Sequence, residues 1–165
     1  MQFLLILVLV LIGCGNPKPQ SPGSTDGSSQ KVSAVDGLVV DDISGLYFEV
    51  GQSTPFSGTA AWYYPDGKLM QETHIDGGRE HGVERWWYST GKRMTEVTYK
   101  NGFMVDGASW DPSGTPTGRV EKGDGFLTAY HENGNRSMRT SFKDGAPVSR
   151  ESWNPDGTHI SAESL

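Results

Sequence analysis

Glycines and aromatics recur in fixed phase through the C-terminal two-thirds of this chain, and that recurrence limits the folds open to it. The pattern Gly-x₄-aromatic-x₃-Gly-[Lys/Asn]-x₉-Gly appears as Gly58…Tyr63…Gly67-Lys68…Gly78, as Gly82…Trp87…Gly91-Lys92…Gly102 and as Gly125…Tyr130…Gly134-Asn135…Gly145. In each copy the first two glycines are 9 apart and the next follows 11 later. A short period of this kind builds an array of small stacked units, because one unit alone cannot bury its apolar face. Such arrays bind or space things more often than they catalyse.

Two further copies are degenerate. Four residues before each turn glycine stand Tyr63, Trp87, Trp110, Tyr130 and Trp153, all Tyr or Trp. The third unit is short, with Gly107 and Gly114 only 7 apart, and Pro116, Gly118 and Gly123 in its return segment predict an irregular strand over 115–124. The fifth has Val148 where the opening glycine belongs and reads as a capping repeat.

Each unit reads as a β-hairpin. Aromatic-rich segments such as Ala60–Tyr64 and Glu84–Tyr88 favour strands. They run into Pro65-Asp66-Gly67-Lys68 and Ser89-Thr90-Gly91-Lys92, where glycine supplies positive φ at little cost. Return strands are predicted over Leu69–Ile75, Arg93–Tyr99 and Arg136–Phe142, each ending at a second glycine turn. After residue 45 no apolar period of 3.6 is present. The expected fold is all-β, an elongated antiparallel β-meander of stacked hairpins.

These residues carry a family resemblance. Gly-x₄-Tyr/Trp-x₃-Gly-Lys, followed by Glu72 or Glu96 and then by Asn-Gly or a second Gly, resembles the bacterial variant of the MORN repeat. Pro55-Phe56-Ser57-Gly58 resembles the entry segment that often precedes the first repeat. The resemblance runs from about Gly45 to Thr158 and implies a β-meander of stacked hairpins. It also implies relatives labelled antitoxin-like proteins of the YwqK type, and eukaryotic relatives associated with membranes and scaffolding.

The N-terminus carries the second signal. Phe3 to Ile12 is a ten-residue apolar run leading into Leu11-Ile12-Gly13-Cys14. A spanning helix needs about 20 apolar residues, so the run reads as the apolar region of a signal peptide. Leu-x-Gly-Cys resembles a bacterial lipobox, which implies cleavage before Cys14 and its acylation. No Lys or Arg precedes Phe3, a departure from the usual signal. Cys14 is the only cysteine, so once acylated no thiol remains for a disulfide, a metal or a nucleophile. Residues 1–14 are therefore read as a lipoprotein signal, 15–34 as a Pro/Gly/Ser/Thr-rich flexible tether, and 35–165 as the repeat domain. Within the last, Val35–Val50 is expected to supply one or two lead-in strands capping the first edge. The expected location is the cell envelope, lipid-anchored, on the outer membrane if the organism has two.

Composition limits the partners. The formal net charge of −6 lies wholly beyond residue 14, which argues against nucleic acid. Arg136, Arg139 and Lys143 alternate with Glu132 and Asp144 and read as a solvated strand face. His74, His81, His131 and His159 lack zinc spacing, the Asp-Gly turns lack a calcium ligand ladder, and no nucleophile elbow is present. Neither catalytic residues nor a cofactor are expected.

Two binding readings remain, a surface-tethered module for an envelope protein and a glycan-binding module. The fixed-phase aromatics are expected to form the core. Strand alternation then sends Trp62, Tyr64, Trp86 and Tyr88 to the opposite face of a one-layer sheet, where they are expected to be exposed and to offer a binding face.

Overall fold

A computed structural model describes residues 31–33 and 37–165. The expected signal, Cys14, most of the tether and the start of the lead-in segment lie outside the described residues.

The fold is all-β, and hairpin follows hairpin. Strands β4 (Gly58–Tyr63), β5 (Leu69–Asp76), β6 (Arg79–Trp87), β7 (Arg93–Lys100), β8 (Phe103–Trp110), β9 (Pro116–Glu121), β10 (Asp124–Tyr130), β11 (Arg136–Lys143), β12 (Ala146–Trp153) and β13 (His159–Ser164) pair in sequence order as an antiparallel meander. The third return strand, expected to be irregular, is short but paired on both sides. All five units slip register at the same place, one step before the turn, between Trp62/Tyr63, Trp86/Trp87, Ser109/Trp110, Ala129/Tyr130 and Ser152/Trp153.

The N-terminal segment departs from expectation in two respects. β1 (Lys31–Ser33), inside the expected tether, pairs in parallel with β4 and covers the first edge. The lead-in strands β2 (Leu38–Val40) and β3 (Tyr47–Glu49) do form, but as a separate two-stranded sheet. They make a flap, joined to the meander by Tyr47 N–H donating to Gly78 O (3.0 Å) and Phe56 N–H donating to Tyr47 O (2.8 Å).

Cross-strand partners show which face is covered. One row reads Ala60, Thr73, Glu84, Val97, Gly107, Val120, and apart from the glycine all are buried. The adjacent row on the other face reads Ala61, Glu72, Arg85, Glu96, Ala108, Arg119. Arg85 there bridges Glu96 (2.7 Å) and Glu72 (3.7 Å), and Arg93 joins Glu96 (2.7 Å).

A single sheet buries a face fully only if it curls. The short third unit provides the curl: β10 reaches back past β9 to touch β8 and β7. Gly118 on β9 permits this, because a Cβ there would stand 2.6 Å from Ser109 Oγ and 2.7 Å from Phe126 O. Thr128 N–H on β10 then donates to Ser109 Oγ on β8 (3.1 Å). The resulting core of Val97, Tyr99, Met104, Val120, Leu127 and Phe142 draws on five successive strands.

Candidate functional site

The aromatic columns depart from expectation, most clearly in the second unit. Trp86 (6 % exposed) and Tyr88 (0 %) are buried, while Trp62 and Tyr64 are partly buried. The binding face expected at Trp62, Tyr64, Trp86 and Tyr88 is therefore not an open face. Tyr63, Trp87, Trp110, Tyr130 and Trp153, the expected core, are all only partly buried, and of these Tyr130 packs on the Trp86–Tyr88–Met94 cluster. Alternation places the two columns on opposite sides but does not say which side the curl covers. The return strands carried that information. Thr73/Ile75, Val97/Tyr99 and Thr140/Phe142 are buried, while the intervening His74, Thr98 and Ser141 are exposed or partly so.

The covered column also joins the units. Tyr64 donates its hydroxyl to Trp87 O (2.6 Å), Tyr88 donates to Trp110 O (2.8 Å), and His131 Nε2 lies 3.0 Å from Trp153 O. In three units the residue after the turn glycine repeats the gesture. Lys68 Nζ donates to Ser89 O (3.0 Å), Lys92 Nζ to Ser113 O (2.9 Å) and Asn135 Nδ2 to Pro155 O (2.8 Å). The Gly-[Lys/Asn] motif is thus a link between adjacent turns. Each of these side chains donates to a backbone carbonyl of a later turn, and Pro155 O takes Asn133 Nδ2 as well (2.6 Å).

At this end of the hairpins an open cleft of about 490 Å³ lies between the second and third units. Trp87 and Trp110 line it with Lys92, Arg93, Ser113 and Gly114. Farther along, Arg136 lies 5.5 Å from the Trp153 ring and Arg139 4.0 Å from that of Phe126, while Lys143 pairs with Asp124. These basic residues are engaged one by one and do not form a basic patch.

A second cluster lies under the flap. β5 and β6 pair Thr73 with Glu84 and Ile75 with Glu80, so residues 81–83 bulge opposite His74 alone. Gly82 (φ 87°) takes the left-handed conformation the bulge requires, and His74 Nδ1 lies 2.8 Å from Val83 O. The bulge brings two glutamates, four apart in sequence, opposite positions only two apart on β5.

Glu84 is enclosed. Its Oε2 accepts from Thr73 Oγ1 (2.9 Å) and Gln71 Nε2 (3.2 Å), and its Oε1 from Trp86 Nε1 (3.0 Å). Glu80 Oε1 accepts from Tyr47 of the flap (3.4 Å). Neither carboxylate has an ion-pair partner among the described residues. Burial, with the neighbouring Glu84 charge, pushes Glu80 up to about 7. Burial raises Glu84 as well, against its three donors. The Tyr99 hydroxyl is raised by burial and then by the two carboxylates. Sequence alone offers no sign of this pair, since Glu80 and Glu84 look like ordinary solvated strand charges.

Comparison with known proteins adds three findings. No curated protein matches the chain. A chain in the crystal structure of the GtfA/B complex bound to UDP and GlcNAc aligns with a TM-score of 0.26 at 9 % identity, covering 86 % of this chain and 28 % of that one. The family described as "MORN repeat variant" matches residues 57–76 and 80–101, the first two hairpins of the meander. The hairpin geometry of residues 57–101 agrees with that match, and the later hairpins continue the same meander.

Proposed function

We propose that this chain is a non-catalytic interaction module, anchored in the cell envelope by a lipid on Cys14, whose hairpin array docks a partner protein. MORN repeats generally serve protein interaction, and no catalytic family matches. The observation that supports a particular docking place is the Trp87–Trp110 cleft. It offers two partly exposed indoles beside Lys92 and Arg93 on a chain of net negative charge. Tryptophan and arginine are the residue types most enriched where interfaces concentrate their binding energy.

A photo-crosslinking residue at Ser113, on the exposed rim of the cleft, tests the docking place in the full chain in producing cells. A defined protein adduct that disappears on Trp110→Ala is the expected result. The open cleft also favours a second reading, because indole faces stack on sugar rings. Retention on purified cell-wall polysaccharide, lost in Trp110→Ala and accompanied by no protein adduct, would select that reading. Anchoring has its own test: a palmitate analogue should label the wild type and leave Cys14→Ser unlabelled. An unlabelled wild type refutes the lipid anchor.

A further inference from the structure

The Glu80–Glu84 pair has a feature that repeat geometry does not need: two carboxylates share a covered place with no cation among the described residues. The groups facing them can be named element by element. β3 contributes Tyr47, and β5 contributes Gln71 and Thr73. β6 contributes Trp86 and the two glutamates themselves, and the Tyr99 hydroxyl of β7 feels both charges. All the donors are neutral. Glu84 takes three of them, and Glu80 takes only the long bond from Tyr47 (3.4 Å), which favours its ionised form less than burial and the Glu84 charge oppose it.

Two charges at neighbouring same-face positions, Glu84 buried and Glu80 partly buried, repel each other and lose part of their solvation. Relief requires fuller access to water, and that requires movement of whatever covers the pair. Glu84 is held between paired strands on both sides. Glu80 is covered from above by Tyr47, which belongs to the flap. The flap is the weakest element in the neighbourhood, with two strands of three residues each. Its hold on the sheet is the Tyr47 backbone bonds and the packing of Leu38 and Tyr47 on Phe56, Ala60 and Ile75. Small units with few buried contacts open first.

We propose that Glu80 and Glu84 form a proton-controlled latch: while the pair keeps a proton, the flap lies closed over it, and loss of that proton lifts the flap. The step is the ionisation of one carboxyl, its proton passing to water, with no other bond made or broken. Opening uncovers Phe56, Ala60 and Ile75 together with the glutamates, so a flat apolar surface appears as the pH rises through neutrality. Burial that moves Glu80 toward neutral pH puts the transition in that range.

Hydrogen exchange on the full chain tests the latch, read as protection factors so that the intrinsic pH dependence of exchange is removed. The Tyr47 amide, bonded to Gly78 O, reports the flap, and the Val97 amide of β7 serves as reference. Between about pH 5.5 and about pH 8.5, protection at Tyr47 should fall by roughly tenfold or more, the equivalent of one pKa unit of coupling. Val97 should not change, and Glu80→Gln should hold Tyr47 protected across the range. A flat wild-type profile overturns the latch, as does an equal loss in Glu80→Gln. Should that variant fail to fold, carboxyl ¹³C titration of Glu80 in the wild type decides: a midpoint coinciding with the loss of Tyr47 protection supports the latch, and a separate midpoint overturns it.

Discussion

The two ends of the covered face do the same structural job with opposite chemistry. From β7 to β11 its core is Val97, Tyr99, Met104, Val120, Leu127 and Phe142, and the polar residues buried beside them, Thr95, Ser109 and Thr140, are uncharged. From β4 to β6 the same face carries the charged pair Glu80 and Glu84 among Ala60, Thr73, Ile75 and Trp86, with the flap laid over part of it. The position two after the opening glycine is Leu127 in the fourth unit and Glu84 in the second. One repeat frame thus supports both an ordinary hydrophobic core and an enclosed carboxylate. The backbone ladder and the unit-to-unit links fix the frame whatever the side chain, provided each buried polar atom finds a partner. The apolar end gains stability from burial at any pH. The acidic end holds two carboxylates whose burial makes their ionisation costly.

The largest expected effect lies at the border of the two regions. Trp86→Ala should cost about 3–5 kcal/mol, as large-to-small core changes do, and would also strip Glu84 of a donor. Trp87→Ala, one residue away on the less covered side, should cost roughly 1–2 kcal/mol. Denaturant melts of the two variants compare them directly, and equal losses would mean both faces are covered alike.

The next effect concerns pH. Glu80 is raised from 4.5 to about 7 in the fold, so the unfolded chain releases this proton first as pH rises. Stability should therefore decline between about pH 4.5 and pH 7, by up to about 3 kcal/mol from this group. In Glu80→Gln that part of the slope should vanish, while Leu127→Ala should shift the whole curve and leave its slope alone. Urea melts at a series of pH values separate the two behaviours.

Smaller still is the link between units. Tyr88→Phe keeps the ring and removes the hydrogen bond to Trp110 O, at an expected cost of about 1 kcal/mol. Thermal melting of this variant against the wild type measures it. The smallest change should be a gain. Lys122 adopts φ 51° at a second turn where the corresponding positions hold Gly77, Asn101 and Asp144. Lys122→Asn should stabilise by roughly 0.5–1 kcal/mol, since asparagine tolerates this conformation better. Chemical denaturation of both forms checks the sign.

Much of the frame was legible. Strand ends fell within a residue or so of expectation at Leu69, Arg93 and Arg136, because glycine turns punctuate hairpins through backbone sterics that need no tertiary context. The binding face was not legible in the same way. Trp86 and Trp87 are equally aromatic, and a period of two divides them between faces without saying which one the sheet curls over. The flap was half legible: its strands were expected, but their position over the pair depends on Gly78 O and Phe56, far along the chain from Leu38.

The sequence by itself determined the repeat, its hairpins and the places of the turns. These follow from local conformational preference and a fixed spacing. Only the tertiary structure decided that the sheet curls at the short third unit, that Trp86 and Tyr88 go inside, and that Glu80 and Glu84 share the covered face, with Tyr47 over Glu80. Burial is a property of what lies opposite a residue, and pKa follows burial. Neither is written in the residue or in its neighbours along the chain.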